Sequence, residues 1–167
     1  MSVLKKLVGQ TAIYGLSSIV GRLLNFLLVP LYTSIFTVGE YGVLSVLMSL
    51  VAFAMVLLTY GLETSFFHFA NKERNSKNVF STAFLSLVAT TLLFLAIVLP
   101  QINQISDVLH IADKPILIRY LVWILAFDVL SSLPFAKLRL DNKPWKFAAI
   151  RIVNIVVNIG LNLFFFL

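Results

Sequence analysis

Arg22 is the one charged residue in the apolar run from Leu7 to Phe36. About 20 helical residues cross the hydrocarbon core of a bilayer, so this run is long enough to span it. Arg22 lies far from both ends and cannot snorkel to water. A charge in that position costs roughly 2.5–3.5 kcal/mol on insertion scales. A guanidinium offset by that cost must face something polar, and two readings compete. One is an ion pair, with Glu63 or Asp128 as partner. The other is a water-filled path for an anionic substrate, whose oxygens the planar guanidinium pairs in two-pronged fashion.

The spacing of the polar residues bears on that choice. At 100° per residue, Thr11, Gly15, Ser18, Arg22 and Asn25 fall within an arc of about 80°. Ser45, Ser49, Ala52, Thr59 and Glu63 form a second stripe, and Arg151, Asn154, Asn158 and Asn162 a third. Asp128, Ser131 and Ser132 share a looser face, while Ser81, Thr82, Ser86, Thr90 and Thr91 scatter around the wheel. Small and hydroxyl residues also serve helix packing in membranes. Three stripes on three helices nevertheless favour a cavity over a single ion pair. Arg22, Asn25 and Ser18 are therefore the candidate substrate-binding residues. Glu63, Asp128, Asn154, Asn158 and Asn162 are the candidate polar lining.

Other chemistry finds no support. His68 and His110 stand apart, without ligand partners at metal-binding spacing. There is no cysteine, and so no disulfide or thiolate site. No phosphate loop, nucleophile elbow or dinucleotide fingerprint is present. No catalytic residues, metal or cofactor are expected, and the chain does not read as an enzyme. Any transport must be secondary or facilitated, since no nucleotide-binding motif supplies energy.

The elements that must position these residues are set by composition. The chain has 167 residues, 60% hydrophobic and 12% charged, against about 25% charged in soluble domains. Its mean hydropathy is +0.98. The expected fold class is all-α, a polytopic membrane helix bundle in one domain, residues 1–167. Five spans are expected, near Gln10–Phe36, Tyr41–Phe67, Val79–Leu99, Ile116–Ala136 and Phe147–Leu167. The segment Pro100 to Pro115 reads as a polar separator, Pro30 and Pro134 as kinks, and the third span as a lipid-facing helix. The N-terminal run is too long for a signal peptide and has no cleavage site. The final span lacks a polar cap, so a longer protein, or a truncated product, is expected.

Charge sets the expected orientation. Lys5, Lys6, Lys72, Arg74, Lys77, Lys137, Arg139, Lys143 and Lys146 flank the N-terminus and the second and fourth loops. The other loops hold only Lys114. Positive residues stay inside, which predicts a cytoplasmic N-terminus. The net charge of +6 is thus a topology signal rather than a nucleic-acid groove.

Three stretches carry a family resemblance: Thr11 to Leu47, Leu57 to Glu73 and Pro134 to Phe165. Their most specific parts are Pro30 to Gly42, with its Tyr-Thr and Glu-Tyr-Gly, and Gly61-Leu62-Glu63-Thr64 before paired phenylalanines. In this order they resemble the N-terminal region of Wzx-type oligosaccharide flippases, polysaccharide biosynthesis proteins of the multidrug/oligosaccharidyl-lipid/polysaccharide (MATE-like) exporter superfamily. The chain departs from that pattern at Ser34 and His68, where the family often has basic residues. The resemblance implies the first five helices of a two-lobe transporter in the bacterial inner membrane. It implies flipping of undecaprenyl-diphosphate-linked oligosaccharides, with Arg22, Asn25 and Ser18 at the diphosphate. Implied partners are the lipid-linked cargo, the bilayer and the polysaccharide polymerase machinery. The rival readings are a lipid II flippase, a drug/cation antiporter, which Arg22 argues against, and a non-catalytic scaffold subunit.

Overall fold

The computed structural model describes residues 12–166 except 13, 17, 18, 22, 25, 73–75, 110, 112 and 113. The described residues are helical almost throughout, with no strand among them. Residues described between 12 and 27 are helical. Seven helices follow: α1 (Val29–Ile35), α2 (Val38–Thr59), α3 (Leu62–Lys72), α4 (Ser76–Val98), α5 (Ile102–Val108), α6 (Pro115–Leu140) and α7 (Pro144–Phe166). A 3₁₀ turn, Leu99–Gln101, joins α4 to α5. Among the described residues four stretches are long and apolar enough to cross a membrane: Val38–Lys72, Asn78–Val108, Pro115–Leu140 and Pro144–Phe165. The protein is thus a multi-pass membrane protein. Within the expected first span the described residues are helical, with an interruption at Leu28, while 10, 11, 13, 17, 18, 22 and 25 lie outside the described residues.

The chain divides into two compact units, residues 42–137 and residues 1–41 with 138–167. In the first, α6 is the hub. Ile118, Val122, Leu125, Val129, Leu133 and Ala136 recur every three or four residues and are all buried, the spacing of one helical face. Ile118, Val122 and Ala126 meet Leu47 of α2, Leu95 of α4 and Ile102 of α5 in a dry aliphatic cluster. Hydrophobicity alone does not drive helices together in lipid, so close packing along such a face holds them.

Several elements differ from the sequence expectation. The polar separator from Pro100 to Pro115 instead contains the 3₁₀ turn and α5. Ile102, Ile105 and Leu109 fall on one helical face and pack on the cluster, and buried Ser106 donates to the Asn103 carbonyl. The second span is broken: Tyr60 (φ 32°) and Gly61 (φ 69°) are left-handed and separate α2 from α3. Glycine adopts that conformation at no steric cost, which the continuous apolar run hides. Pro30 sits in the first turn of α1, after an interruption of the helix at Leu28. There its missing N–H costs nothing. α6 runs without interruption through Pro134. The third expected span, α4, buries Leu87, Thr91 and Leu95 along one face, while Leu85, Leu92 and Leu93 are exposed.

Several hydroxyls are satisfied within their own helices. Thr91 donates to the Leu87 carbonyl, Thr90 to Ser86, Ser49 to Ser45, Thr59 to Met55 and Ser131 to Phe127. Each bonds the preceding turn of its own helix, so each is satisfied without a partner helix.

In the second unit, Thr37 and Glu40 form a reciprocal capping box at the start of α2. The Thr37 amide and hydroxyl both donate to Glu40 Oε2, and the Glu40 amide donates back to Thr37 Oγ1. α6 ends where Asn142 turns left-handed (φ 51°) and the Lys143 amide closes on the Leu138 carbonyl. The chain then re-enters a helix at Pro144, a residue suited to a first turn.

Candidate functional site

The 1–41 and 138–167 unit brings the N-terminal helical segment and α7 side by side. Three contacts fix their pairing. The Tyr14 ring meets Phe147 edge-on, with centroids 5.1 Å apart. A side chain at Gly21 would lie 3.1 Å from Ile155, so glycine is what lets the backbones approach there. Tyr32 donates from its hydroxyl to Asn162 Oδ1 at 2.8 Å. Partners on both segments rise in number together, so the two run parallel. Parallel neighbours cross a membrane in the same direction, which is what the expected first and fifth spans require.

The pair changes character along its length. At the α7 start it is aromatic and cationic: the Arg151 guanidinium lies 5.4 Å from the Phe147 ring centroid, with the Tyr14 edge on the same ring. At mid-length it is apolar, with Gly21 against Ile155. Towards the α7 end it is polar. Asn162 Nδ2 donates to the Asn158 carbonyl at 2.8 Å and approaches Asn158 Oδ1 at 3.4 Å. Tyr32, half-buried Asn162 and exposed Asn158 thus form a hydrogen-bonded ladder toward the α7 end. Amides and phenols there can exchange their mutual bonds for the hydroxyls of a polar ligand.

Asn158 and Asn162 are therefore joined, while Asn154 is exposed on the same helix. Arg22, Asn25 and Ser18 lie outside the described residues. Glu63, in the first turn of α3, is half-buried, and its position suits the positive end of a helix. Asp128 is exposed on α6, off the face carrying Val122, Val129 and Leu133. His68 is exposed and packs its ring against the Phe69 edge. Among the described residues no group of acidic, histidine or cysteine side chains could hold a metal.

Sequence reasoning passed over Tyr32, although it stands seven residues, two turns, beyond Asn25. It also passed over the Thr37–Glu40 cap, which the Thr-x-x-Glu pattern signals directly.

Residues 7–143 match a family described as polysaccharide biosynthesis protein. The match ends before Asn154, Asn158 and Asn162. Comparison with curated proteins and with solved structures finds no match.

Proposed function

The chain belongs to the polysaccharide biosynthesis protein family, and on that premise we propose that it moves undecaprenyl-diphosphate-linked oligosaccharides across the bacterial inner membrane, from the cytoplasmic to the outer leaflet. The observation that carries this reading is the Tyr32–Asn162–Asn158 ladder on two parallel helices. An oligosaccharide presents a dense set of hydroxyls, and crossing lipid requires replacing the water on them. Amide and phenol groups can accept and donate in that exchange.

The headgroup needs a different device. A diphosphate is anionic, and Arg22 is a cation in a long apolar run. Asn25 and Ser18 share its face by spacing and supply neutral donors. On the orientation given by the Lys/Arg asymmetry, the N-terminus is cytoplasmic and α7 runs outward. The Arg151 end then lies at the cytoplasmic side and the ladder toward the outer side. No bond is made or broken in such a transfer, so the reading is of a transporter rather than an enzyme.

Complementation of a strain lacking its oligosaccharide flippase tests this with the whole protein. Wild type is expected to restore surface polysaccharide. Arg22→Ala is expected to lower it roughly tenfold or more, the worth of a charge-assisted hydrogen bond, at unchanged membrane abundance. Arg22→Lys is expected to recover only part of that loss, because ammonium cannot pair two oxygens in a fixed plane. Failure of the properly inserted wild type to rescue, or full activity of Arg22→Ala, overturns the proposal.

A further inference from the structure

The left-handed break at Tyr60 and Gly61 does more than end α2. It turns α3 onto α4, where Leu62, Phe66 and Ala70 are buried. Phe66 meets the edge of Phe80, which stacks on Phe84. The two helices leave between them an open groove of ≈390 Å³.

The groove is graded from end to end. Its walls include apolar Leu62, Phe66 and Val79, and along one side run Asn78, Thr82 and Ser86. Those three stand four residues apart on α4, so the row is about 12 Å long. That is close to one leaflet of a hydrocarbon core about 30 Å thick. The Ser86 end is closed by a 2.7 Å hydrogen bond between Ser86 Oγ and the Tyr60 hydroxyl. The Asn78 end is the one nearer the α3–α4 turn, where exposed Phe69 lines the groove and exposed Lys72 terminates α3. Lys137 Nζ sits 4.7 Å from the centroid of Phe80, the residue after Val79. Among the described residues no acidic side chain lines the groove. Positive charge is therefore gathered near it without a carboxylate among the lining residues.

An apolar wall with a cation at one end suits an amphiphile with an anionic head. We propose that the α3–α4 groove binds an anionic phospholipid of the cytoplasmic leaflet. One acyl chain lies along Leu62, Phe66 and Val79, and the phosphate meets Lys72. Lys137 adds to the field, and the Asn78 amide donates toward the ester carbonyls. Basic pockets between membrane helices on the cytoplasmic side take such headgroups. The choice of leaflet rests on the orientation proposed above.

The experiment uses the whole protein in nanodiscs of equal phosphatidylglycerol and phosphatidylcholine, read by native mass spectrometry of retained lipid. Wild type is expected to keep phosphatidylglycerol preferentially. Lys72→Gln is expected to weaken that retention about fivefold, the worth of one cation near an anionic headgroup. Ala83→Leu, which fills the groove, is expected to abolish it with helix content unchanged. Thr82→Leu, at an exposed position, gives the same loss should Ala83→Leu fail to insert. Equal retention of the two lipids, or wild-type retention in the groove-filled variants, overturns the proposal. The readout needs no cargo, so it stands or falls apart from oligosaccharide transfer.

Discussion

Helices α6 and α7 follow one another in the chain, with 26 and 23 residues. Their spanning stretches have nearly equal mean hydropathies, 1.9 and 1.8. They differ in what they do with their faces. α6 buries seven residues from Ile118 to Ala136, all aliphatic. α7 buries Phe147 and Ala148 at its start and leaves Val153, Val156 and Phe164 exposed. Where α6 meets its core partners, it meets them with dry, shape-fitted side chains. α7 meets the N-terminal segment with an aromatic pair at one end, a glycine in the middle and hydrogen-bonded amides at the other. In lipid, a regular aliphatic face gives a fixed, water-free joint. A face of amides gives a joint whose bonds can be exchanged for those of a ligand. Equal hydropathy therefore conceals a helix with a buried aliphatic face and a helix whose face toward its end is built of amides.

The largest effect expected on that contrast comes from charging the scaffold. Val129 is fully buried on α6. Val129→Asp should cost roughly 2.5–3.5 kcal/mol of insertion alone, with further loss of packing. Membrane-fraction abundance should fall roughly tenfold or more, and abundance near wild type would mean that α6 is not the hub. Next comes the close approach on the other side. Gly21→Leu should overpack Ile155 and cost about 1–3 kcal/mol, read as a lowered midpoint in thermal unfolding in detergent. No change would argue against a tight parallel pair.

A smaller loss, and of a different kind, is expected for the paired change Asn158→Leu and Asn162→Leu. Abundance should hold or rise, since apolar residues insert more readily, while surface polysaccharide falls about tenfold. Equal loss of both would turn the ladder into packing and erase the contrast with α6. The least effect belongs to Tyr32→Phe, which removes one interhelical hydrogen bond worth about 0.6 kcal/mol in membranes. It should shift unfolding only slightly, and a large shift would give the ladder a structural weight that its exposed neighbours do not suggest.

Much of this architecture is legible in the residues. Long apolar runs between basic loops announce a multi-pass helical protein, because a backbone in lipid must satisfy its own hydrogen bonds. The four-residue spacing of Asn154, Asn158 and Asn162, close to the 3.6-residue helical period, announces one polar face on α7. The expected boundaries of α6 and α7 lie within a few residues of the helices found. Other features were illegible for identifiable reasons. The break before α3 falls inside an unbroken apolar run, and its signal is a single Gly61 whose φ the sequence does not state. α5 hides in a stretch that is polar on average, because only one of its faces is apolar. Of the hydroxyls scattered around α4, Thr90 and Thr91 bond their own preceding turn while Ser86 reaches Tyr60, so no single face collects them.

The sequence by itself determined that the chain crosses a membrane more than once, roughly where the long apolar helices run, and that Arg22 is the one charge in the apolar run Leu7 to Phe36. These follow from hydropathy and charge, which are properties of residues and their neighbours along the chain. Only the tertiary structure decided that Tyr32 reaches Asn162 across 130 positions, that Ile102 and Leu47 share one core, and that α3 turns aside to leave a groove on α4. Those depend on which faces of distant helices meet, and in lipid that choice is made by close packing and paired hydrogen bonds, which no local pattern records.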